Sequence, residues 1–291
     1  MTDSAALPEP LAQWVASVVG PIQEVRDASH ARENSRVWEV TSPTGRHFVK
    51  IAPQPLSYTR ETYAYRAAVP HLGLGNAPVL KASSADLCAM ILTAVDGEPL
   101  KAEASPSRRR AAHAQAGLLL RRFHDAAPDS NVLAQVGHVI ENTAAGLDRH
   151  LTAAGDHLTA LEADILRRHV AVLLDLEDLP VGLLHGDLWE RNLLWNGWRC
   201  ALIDFERSMP GPLVADFVKL ATAVWPEFPG LRSSFFNGYG RALSDAEERA
   251  LVAFSAADAA SALAYGPRHG DPQVTARGRR TVDRLTREAR R

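Results

Sequence analysis

Residues 181–205 lie in a half of the chain that is otherwise helical in pattern, yet they read as short strands, two of them joined by Asn196-Gly197. Asn-Gly is the preferred centre of a two-residue type I′ hairpin, because both positions must accept positive φ. The predicted strands are Asn192 to Trp195 and Trp198 to Ile203. Such a hairpin folds the chain back so that Asn192 and Asp204, twelve positions apart, end side by side. A third apolar strand, Val181-Gly182-Leu183-Leu184, leads into His185-Gly186-Asp187-Leu188-Trp189-Glu190-Arg191-Asn192. Two carboxylates and one carboxamide are thereby drawn to one place.

The first third of the chain has a different pattern. A helix is predicted from Pro8 to Val19, with Leu11, Trp14, Val15 and Val18 on one face. Val37 to Val40 and His47 to Ile51 alternate as strands across the turn Pro43-Thr44-Gly45. A helix from Tyr58 to Val69 stops at Pro70, and Val79-Leu80 and Leu87 to Leu92 read as further strands. Val95-Asp96-Gly97-Glu98-Pro99 is rich in turn formers and is the predicted domain boundary, dividing residues 1–94 from 95–291. Beyond it helices dominate. Ser105-Pro106 should cap one that runs to about His124. Others are predicted over Leu158 to Leu176, Pro212 to Val224, from Ser244 with Glu247 as a capping box, and from Pro272 onward. The fold class is therefore α+β, a small antiparallel sheet with a helix followed by a larger, mainly helical lobe.

Composition excludes several roles. With 46% hydrophobic and 23% charged residues and a net charge of -2, the chain offers no field that would select nucleic acid or an anionic membrane. No apolar run reaches membrane-spanning length, and no basic region followed by an apolar stretch marks a signal peptide. Two cysteines, Cys88 and Cys200, form neither a disulfide framework nor a metal-ligand spacing, so a reducing cytoplasm is expected. The basic residues are almost all Arg, and Lys occurs only at 50, 81, 101 and 219.

Singly, an Asp or Asn in a loop is a cap or a turn residue. In this order they match what phosphoryl transfer requires, which is positioning and charge neutralisation more than covalent chemistry. Asp187 would accept or orient the proton of an acceptor hydroxyl. Asn192 and Asp204 would offer oxygen ligands to magnesium. Lys50, late in a strand, and Glu61, eleven residues later on the following helix, would form the pair that aims an ammonium at nucleotide phosphates. A phosphate-covering loop should span about Ala28 to Arg36. It contains no Gly, so Ser29, Asn34 and Ser35 would supply its polar contacts.

His185-Gly186-Asp187-Leu188-x-x-x-Asn192 and Ile203-Asp204-Phe205-Glu206, supported by Lys50, Glu61, Val95 to Leu100 and Asn34-Ser35-Arg36-Val37-Trp38, resemble the aminoglycoside phosphotransferase and choline kinase group, the small-molecule relatives of protein kinases. The resemblance spans nearly the whole chain. It implies a bilobal protein-kinase-like fold with ATP or GTP between the lobes and Mg²⁺ as cofactor. It implies Asp187 as catalytic base, Asn192 and Asp204 as metal ligands, Lys50 and Glu61 at the phosphates, and backbone around Leu92, Thr93 and Val95 at the purine. His185 and Asp216 would brace the catalytic loop. The chain departs from the group where Pro210-Gly211-Pro212 replaces the usual Gly-Asp-Pro, and where Trp189 and Glu190 stand beside the base. Those two would line the acceptor pocket, Trp189 by stacking and Glu190 by pairing with a cation, unless Trp189 packs on Trp195 or Trp198.

His-Gly-Asp in place of His-Arg-Asp, Asp-Phe-Glu in place of Asp-Phe-Gly, and the short route from Asp204 to Pro212 argue against a protein substrate. The expected acceptor is a hydroxyl of a small molecule. An aminoglycoside or a basic peptide antibiotic comes first, with Glu190, Glu206, Asp258 and Asp271 as acids for its amines. A choline- or homoserine-like metabolite is the alternative, and a regulatory pseudokinase a third. A monomer or homodimer is expected.

Overall fold

A computed structural model describes residues 6–29, 36–126 and 136–290. Its N-terminal part is a five-stranded antiparallel sheet in the order β1-β2-β3-β5-β4. The strands are β1 (Glu24–Asp27), β2 (Arg36–Ser42), β3 (Gly45–Ile51), β4 (Leu80–Ser84) and β5 (Ala89–Thr93). Strand β1 has no counterpart in the apolar pattern. It is an edge strand with three of its four residues exposed, held by backbone pairing to β2, so no apolar face is required of it. Helix α1 (Glu9–Val19) lays Leu11, Val15 and Val19 on one sheet face, against Trp38, Val40, Val49, Ala89 and Ile91. Helix α2 (Pro55–Ala67) crosses between β3 and β4 and covers the other face. It starts three residues before the expected Tyr58, because Pro55 takes the first helical position. Pro70 stops the helix but opens a 3₁₀ turn, Val69–Leu72.

The remainder is mainly helical: α3 (Pro106–His124), α4 (Val136–Ala154), α5 (Ala160–Ala171), α6 (Val218–Ala223), α7 (Pro229–Tyr239), α8 (Asp245–Tyr265) and α9 (Pro272–Ala289). Helices α4 and α7 were not evident from the pattern. The α7 sequence, Pro-Gly-Leu-Arg-Ser-Ser-Phe-Phe-Asn-Gly-Tyr, is poor in helix formers. Packing overrides propensity there. A Cβ on Gly117 of α3 would lie 2.0 Å from the Phe235 carbonyl, and one on Gly238 would lie 1.7 Å from that of Ala114, so the two helices touch through bare backbone. The capping box of Ser244 and Glu247 forms as expected. Ser105 sits at the N-cap of α3, but its hydroxyl bonds Ser107 and caps no amide. Residues 212–224 are not one helix. Met209–Pro212 pairs as β10 with β7 (Val181–Leu184), a 3₁₀ turn covers Leu213–Phe217, and only Val218–Ala223 is α-helical.

The link after β5 is stitched into this half, since β6 (Glu98–Pro99) pairs with β8 (Leu193–Trp195), which pairs with β9 (Cys200–Leu202). Between the sheet and the helices, Phe205 is fully buried. Its ring centroid lies 5.3 Å from Tyr65 of α2, 5.3 Å from Phe123 of α3 and 4.9 Å from His185. No helix among the described residues is long and apolar enough to cross a membrane.

Candidate active site

The hairpin at 192–204 is present, with a different turn from the one expected. Trp195 pairs with Cys200, so the loop has four residues. Gly197 has φ 103°, but Asn196 is not at positive φ, which rules out type I′. Asn196 instead uses its side chain, whose Oδ1 accepts from Trp198 N (3.2 Å) and Arg199 N (2.8 Å). The outcome for the site is unchanged. Ile203 N donates to the Asn192 carbonyl at 3.0 Å, one step beyond the Leu193–Leu202 pair, which seats Asn192 beside Asp204.

Asp187 is buried, and its Oδ2 accepts from Arg191 Nη2 (2.7 Å) and Asn192 Nδ2 (3.3 Å). Asn192 Nδ2 also donates to the Asp187 carbonyl at 2.8 Å. The loop that presents Asp187 depends on Gly186, which has φ 79° and would place a Cβ 2.2 Å from the Arg207 carbonyl. Asp216 receives the backbone N–H groups of His185 and Gly186, both at 2.7 Å, on its two oxygens. It therefore reaches the loop that presents Asp187 despite the Pro210-Gly211-Pro212 departure. His124 Nε2 (2.9 Å) adds to Asp216, and Tyr239, whose hydroxyl burial pushes up to about 12, lies 2.9 Å from His124 Nδ1. His185 Nδ1 accepts from Asp187 N at 3.3 Å, so Nε2 carries the proton it donates to the Ile203 carbonyl at 3.1 Å.

Lys50 arrives from β3 and Glu61 from α2, and both are buried. Lys50 Nζ lies 2.9 Å from each of Glu61 Oε2, Asp204 Oδ1 and Glu206 Oε2. Burial alone would discharge this ammonium, but the three carboxylates override it and hold its pKa well above the ordinary value. Burial likewise opposes the ionisation of Asp204, yet Lys50, with Arg191 beyond it, keeps that carboxyl below its ordinary range. Asp204 itself has φ 66°, an uncommon backbone for a residue with a Cβ.

Beyond the strand, the Thr93 N–H is spent on the Val79 carbonyl (2.9 Å) and that of Ala94 on the Arg46 carbonyl (3.2 Å). Leu92 is paired with both Phe48 and Leu80. Of the three residues expected at the purine, Val95 is the one whose backbone takes part in no hydrogen bond among the described residues. Asn34 and Ser35 lie outside those residues. Ser29 closes the base of that loop, its hydroxyl accepting from Val37 N (3.0 Å) and donating to the Val37 carbonyl (3.2 Å).

The donor set fits magnesium. Asn192 has its Nδ2 occupied, and its Oδ1 accepts no hydrogen bond among the described residues. With the Asp204 carboxylate this gives two oxygens of the kind a hard dication takes alongside phosphate. No cluster of three or more His, Cys, Asp or Glu suited to a metal occurs among the described residues.

The acceptor side corrects the expectation for Glu190. Its carboxylate is buried, bound by Arg109 through two bonds (2.8 and 2.7 Å) and by His113 at 2.9 Å. Burial resists its charge, but these partners keep its pKa below the ordinary value, so it ties α3 to the loop that follows Asp187 and is not open to a substrate cation. Trp189 stacks on neither Trp195 nor Trp198. It borders a cavity of about 190 Å³ together with Asp187, Arg191, Arg207, Lys219 and Arg277. A larger hollow of about 340 Å³ between α6 and α9 includes none of the residues placed in the site above. Lys219 and Arg277 were missed in the sequence, although Lys219 is one of only four lysines.

The sequence profile of a family described as the phosphotransferase enzyme family matches residues 24–254. No curated protein matches the chain significantly. Among solved structures, the chain is similar to a thermostable mutant of the aminoglycoside phosphotransferase APH(4)-Ia in ternary complex with AMP-PNP and hygromycin B. That match has 17% identity, covers 96% of this chain and 98% of the other, and has a TM-score of 0.70. It is also similar to the GDP and kanamycin complex of APH(2")-IIia, at 14% identity, 95% and 98% coverage and a TM-score of 0.67. A putative aminoglycoside phosphotransferase from Ralstonia eutropha matches at 15% identity, 95% coverage of each chain and a TM-score of 0.67.

Proposed function

The chain belongs to the phosphotransferase enzyme family, and from that premise we propose that it moves the terminal phosphoryl group of ATP or GTP to a hydroxyl of a small molecule at Asp187. The observation that carries this reading is the single cluster in which Lys50, from the sheet, meets Asp204, 154 residues away, at 2.9 Å, one hairpin step from Asn192 and Asp187. A structural role for each residue alone would not bring an ammonium, two oxygen ligands and a base to one cleft.

In this reading Lys50 binds the α- and β-phosphates, steered by Glu61. Asn192 and Asp204 would hold Mg²⁺, which when bound would neutralise charge on the phosphates. Arg191 and Asn192 pin Oδ2 of Asp187, leaving Oδ1 for the acceptor hydroxyl. The acceptor oxygen forms its bond to the γ-phosphorus, the bond from that phosphorus to the nucleoside diphosphate breaks, and the hydroxyl proton passes to Asp187. Val95 contributes backbone contact to the purine, and Asp216 with His185 keeps the loop in register. The bound nucleotides of the structural neighbours support a purine donor of either base. Inactivation of an antibiotic and phosphorylation of a metabolite share this chemistry, and the neighbours favour the former.

The test is nucleotide-diphosphate release with Mg²⁺ and ATP or GTP over a panel of hydroxylated antibiotics and metabolites. An acceptor should stimulate release in the wild type and not in Asp187→Ala, while Asp204→Ala should lose Mg²⁺-dependent nucleotide binding. Nucleotide binding unaffected by Asp204→Ala, or stimulated release that survives Asp187→Ala, would sink the reading.

A further inference from the structure

The cavity beside Asp187 is basic. Arg191, Arg207, Lys219 and Arg277 line it, against only two carboxylates, Asp187 and Asp258, and none of Lys50, Asp204 or Glu206 does. It therefore lies on the acceptor side of the catalytic Asp, away from the phosphate-binding ammonium. Its carboxylates are already committed. Asp187 is paired with Arg191, and Asp258, on α8, is shared between Lys219 of α6 and Arg277 of α9. Arg207 has no carboxylate partner among the described residues.

The crowding of positive charge is evident in the side chains themselves. Burial first, and then the charges of Arg277, Arg207 and Arg191, push the Lys219 ammonium down to about 7, with Asp187 pulling the other way. Burial, with Arg191 and Arg280, lowers even the Arg277 guanidinium to about 10. The Trp189 ring is surrounded by the protein's own cations, with Arg191, Arg277 and Lys219 at 4.8, 5.1 and 5.6 Å from its centroid. A cationic sugar would find that π-face taken.

The other three acids expected to meet a polyamine are engaged as well. Glu190 is held by Arg109 and His113, and Glu206 by Lys50. Asp271 caps α9 by accepting from Gln273 N and Val274 N. All four acids that could have met a polyamine are bound by groups of the protein.

Resting on the phosphotransferase reading, we propose that the acceptor is a hydroxylated small molecule bearing an acidic group, a carboxylate or a phosphate, which Arg207, free of a carboxylate partner among the described residues, binds together with Lys219 and Arg277, two cations that share one carboxylate, while its hydroxyl faces Asp187. The anion supplies the charge the cavity lacks, and charge-assisted bonds from guanidinium and ammonium fix its orientation. Ser261 and Tyr265, also on the cavity wall, offer hydroxyls to the rest of the molecule.

Three six-carbon polyols that differ only at one end test this: gluconate, sorbitol and glucamine, which carry an acid, a neutral and a basic group. Each is titrated by calorimetry into protein saturated with Mg²⁺·ADP, so that the nucleotide site cannot take the anion. Gluconate should bind, glucamine should not, and sorbitol should fall between. Lys219→Met should weaken gluconate about tenfold or more, and Lys219→Arg should restore it. Glucamine binding as tightly as gluconate in the wild type, a gluconate affinity indifferent to Lys219→Met, or no gluconate heat at tens of millimolar would each overturn the proposal. The wild-type comparison decides even if Lys219→Met fails to fold. Failure to bind Mg²⁺·ADP at all would instead strike the phosphotransferase reading. ADP release driven by a polyamine and lost in Asp187→Ala would uphold that reading and overturn this one.

Discussion

Replacing Lys50 by Met removes the one cation that three carboxylates share while keeping most of the side-chain volume. At 2.9 Å each contact carries roughly 6 kcal/mol of Coulomb attraction at an effective dielectric near 20. The three do not add, because the carboxylates repel one another and the ammonium loses its hydration. What remains after substitution is Glu61, fully buried and without its partner. Breaking a buried pair from one side costs about 3–5 kcal/mol, a large share of the roughly 5–15 kcal/mol that holds a folded domain. Burial raises the Glu61 carboxyl to about 7 even beside Lys50, so urea unfolding followed by tryptophan fluorescence at pH 9, where it is ionised in the wild type, should show a loss in that range. The double variant Lys50→Met/Glu61→Gln should recover part of it, because the uncompensated buried charge is gone. A loss below about 1 kcal/mol, or a double variant less stable than Lys50→Met alone, would refute the claim that Glu61 depends on this ammonium.

Three further outcomes are expected. Gly186→Ala should cost at least about 1–2 kcal/mol in thermal or urea stability from the left-handed backbone alone. The clash with the Arg207 carbonyl would also displace Asp187, so turnover should fall more than stability does. Glu190→Gln should lower stability by about 1–3 kcal/mol through loss of the charged bonds to Arg109, yet leave the order of binding among the three polyols unchanged, as calorimetry would show. Gluconate affinity should weaken by about an order of magnitude or more as pH rises well above 7, because Lys219 is charged below about 7 and neutral above. The groups facing that ammonium are Asp258 of α8, Arg277 of α9, and Asp187, Arg191 and Arg207 of the loops. Gluconate does not titrate in this range, and Lys219→Arg should flatten the profile.

The parts of the site legible in the sequence are those specified locally. His185 to Asn192 and the Asn196-Gly197 turn lie within twenty residues, and turn chemistry alone brings Asn192 to Asp204. Even there the sequence pointed to the wrong mechanism, because the Asn196 side chain does the work assigned to its backbone. The Lys50 and Glu61 pair was inferred from a strand followed by a helix, whereas the meeting with Asp204 depends on how two halves pack. Acid occupancy was not legible for the same reason. Glu190 meets Arg109 across 81 positions and Asp258 meets Lys219 across 39, and neither spacing leaves a periodic trace. A count of acids in the sequence therefore says nothing of which are engaged, and Glu190, Glu206, Asp258 and Asp271 each have a partner in the folded chain. Helix α7 was missed because propensity misleads where glycines serve close packing, and β1 because an edge strand needs no apolar stripe.

The buried contacts around Phe205 bear on how the molecule comes apart. The sheet has two faces with separate fates. One packs on α1 as a self-contained core, and the other is continuous with the helical half through Tyr65, Met90, Leu92, Leu100 and Phe123. Residues 95–99 mark a change in composition but not a seam in that core. Released as a fragment ending near residue 94, the sheet would keep the layer under α1 and expose the layer under α2 to water. Unfolding should accordingly be a single cooperative event, with amides of α2 and α3 exchanging together through it and those of the β1 edge exchanging earlier through local fraying.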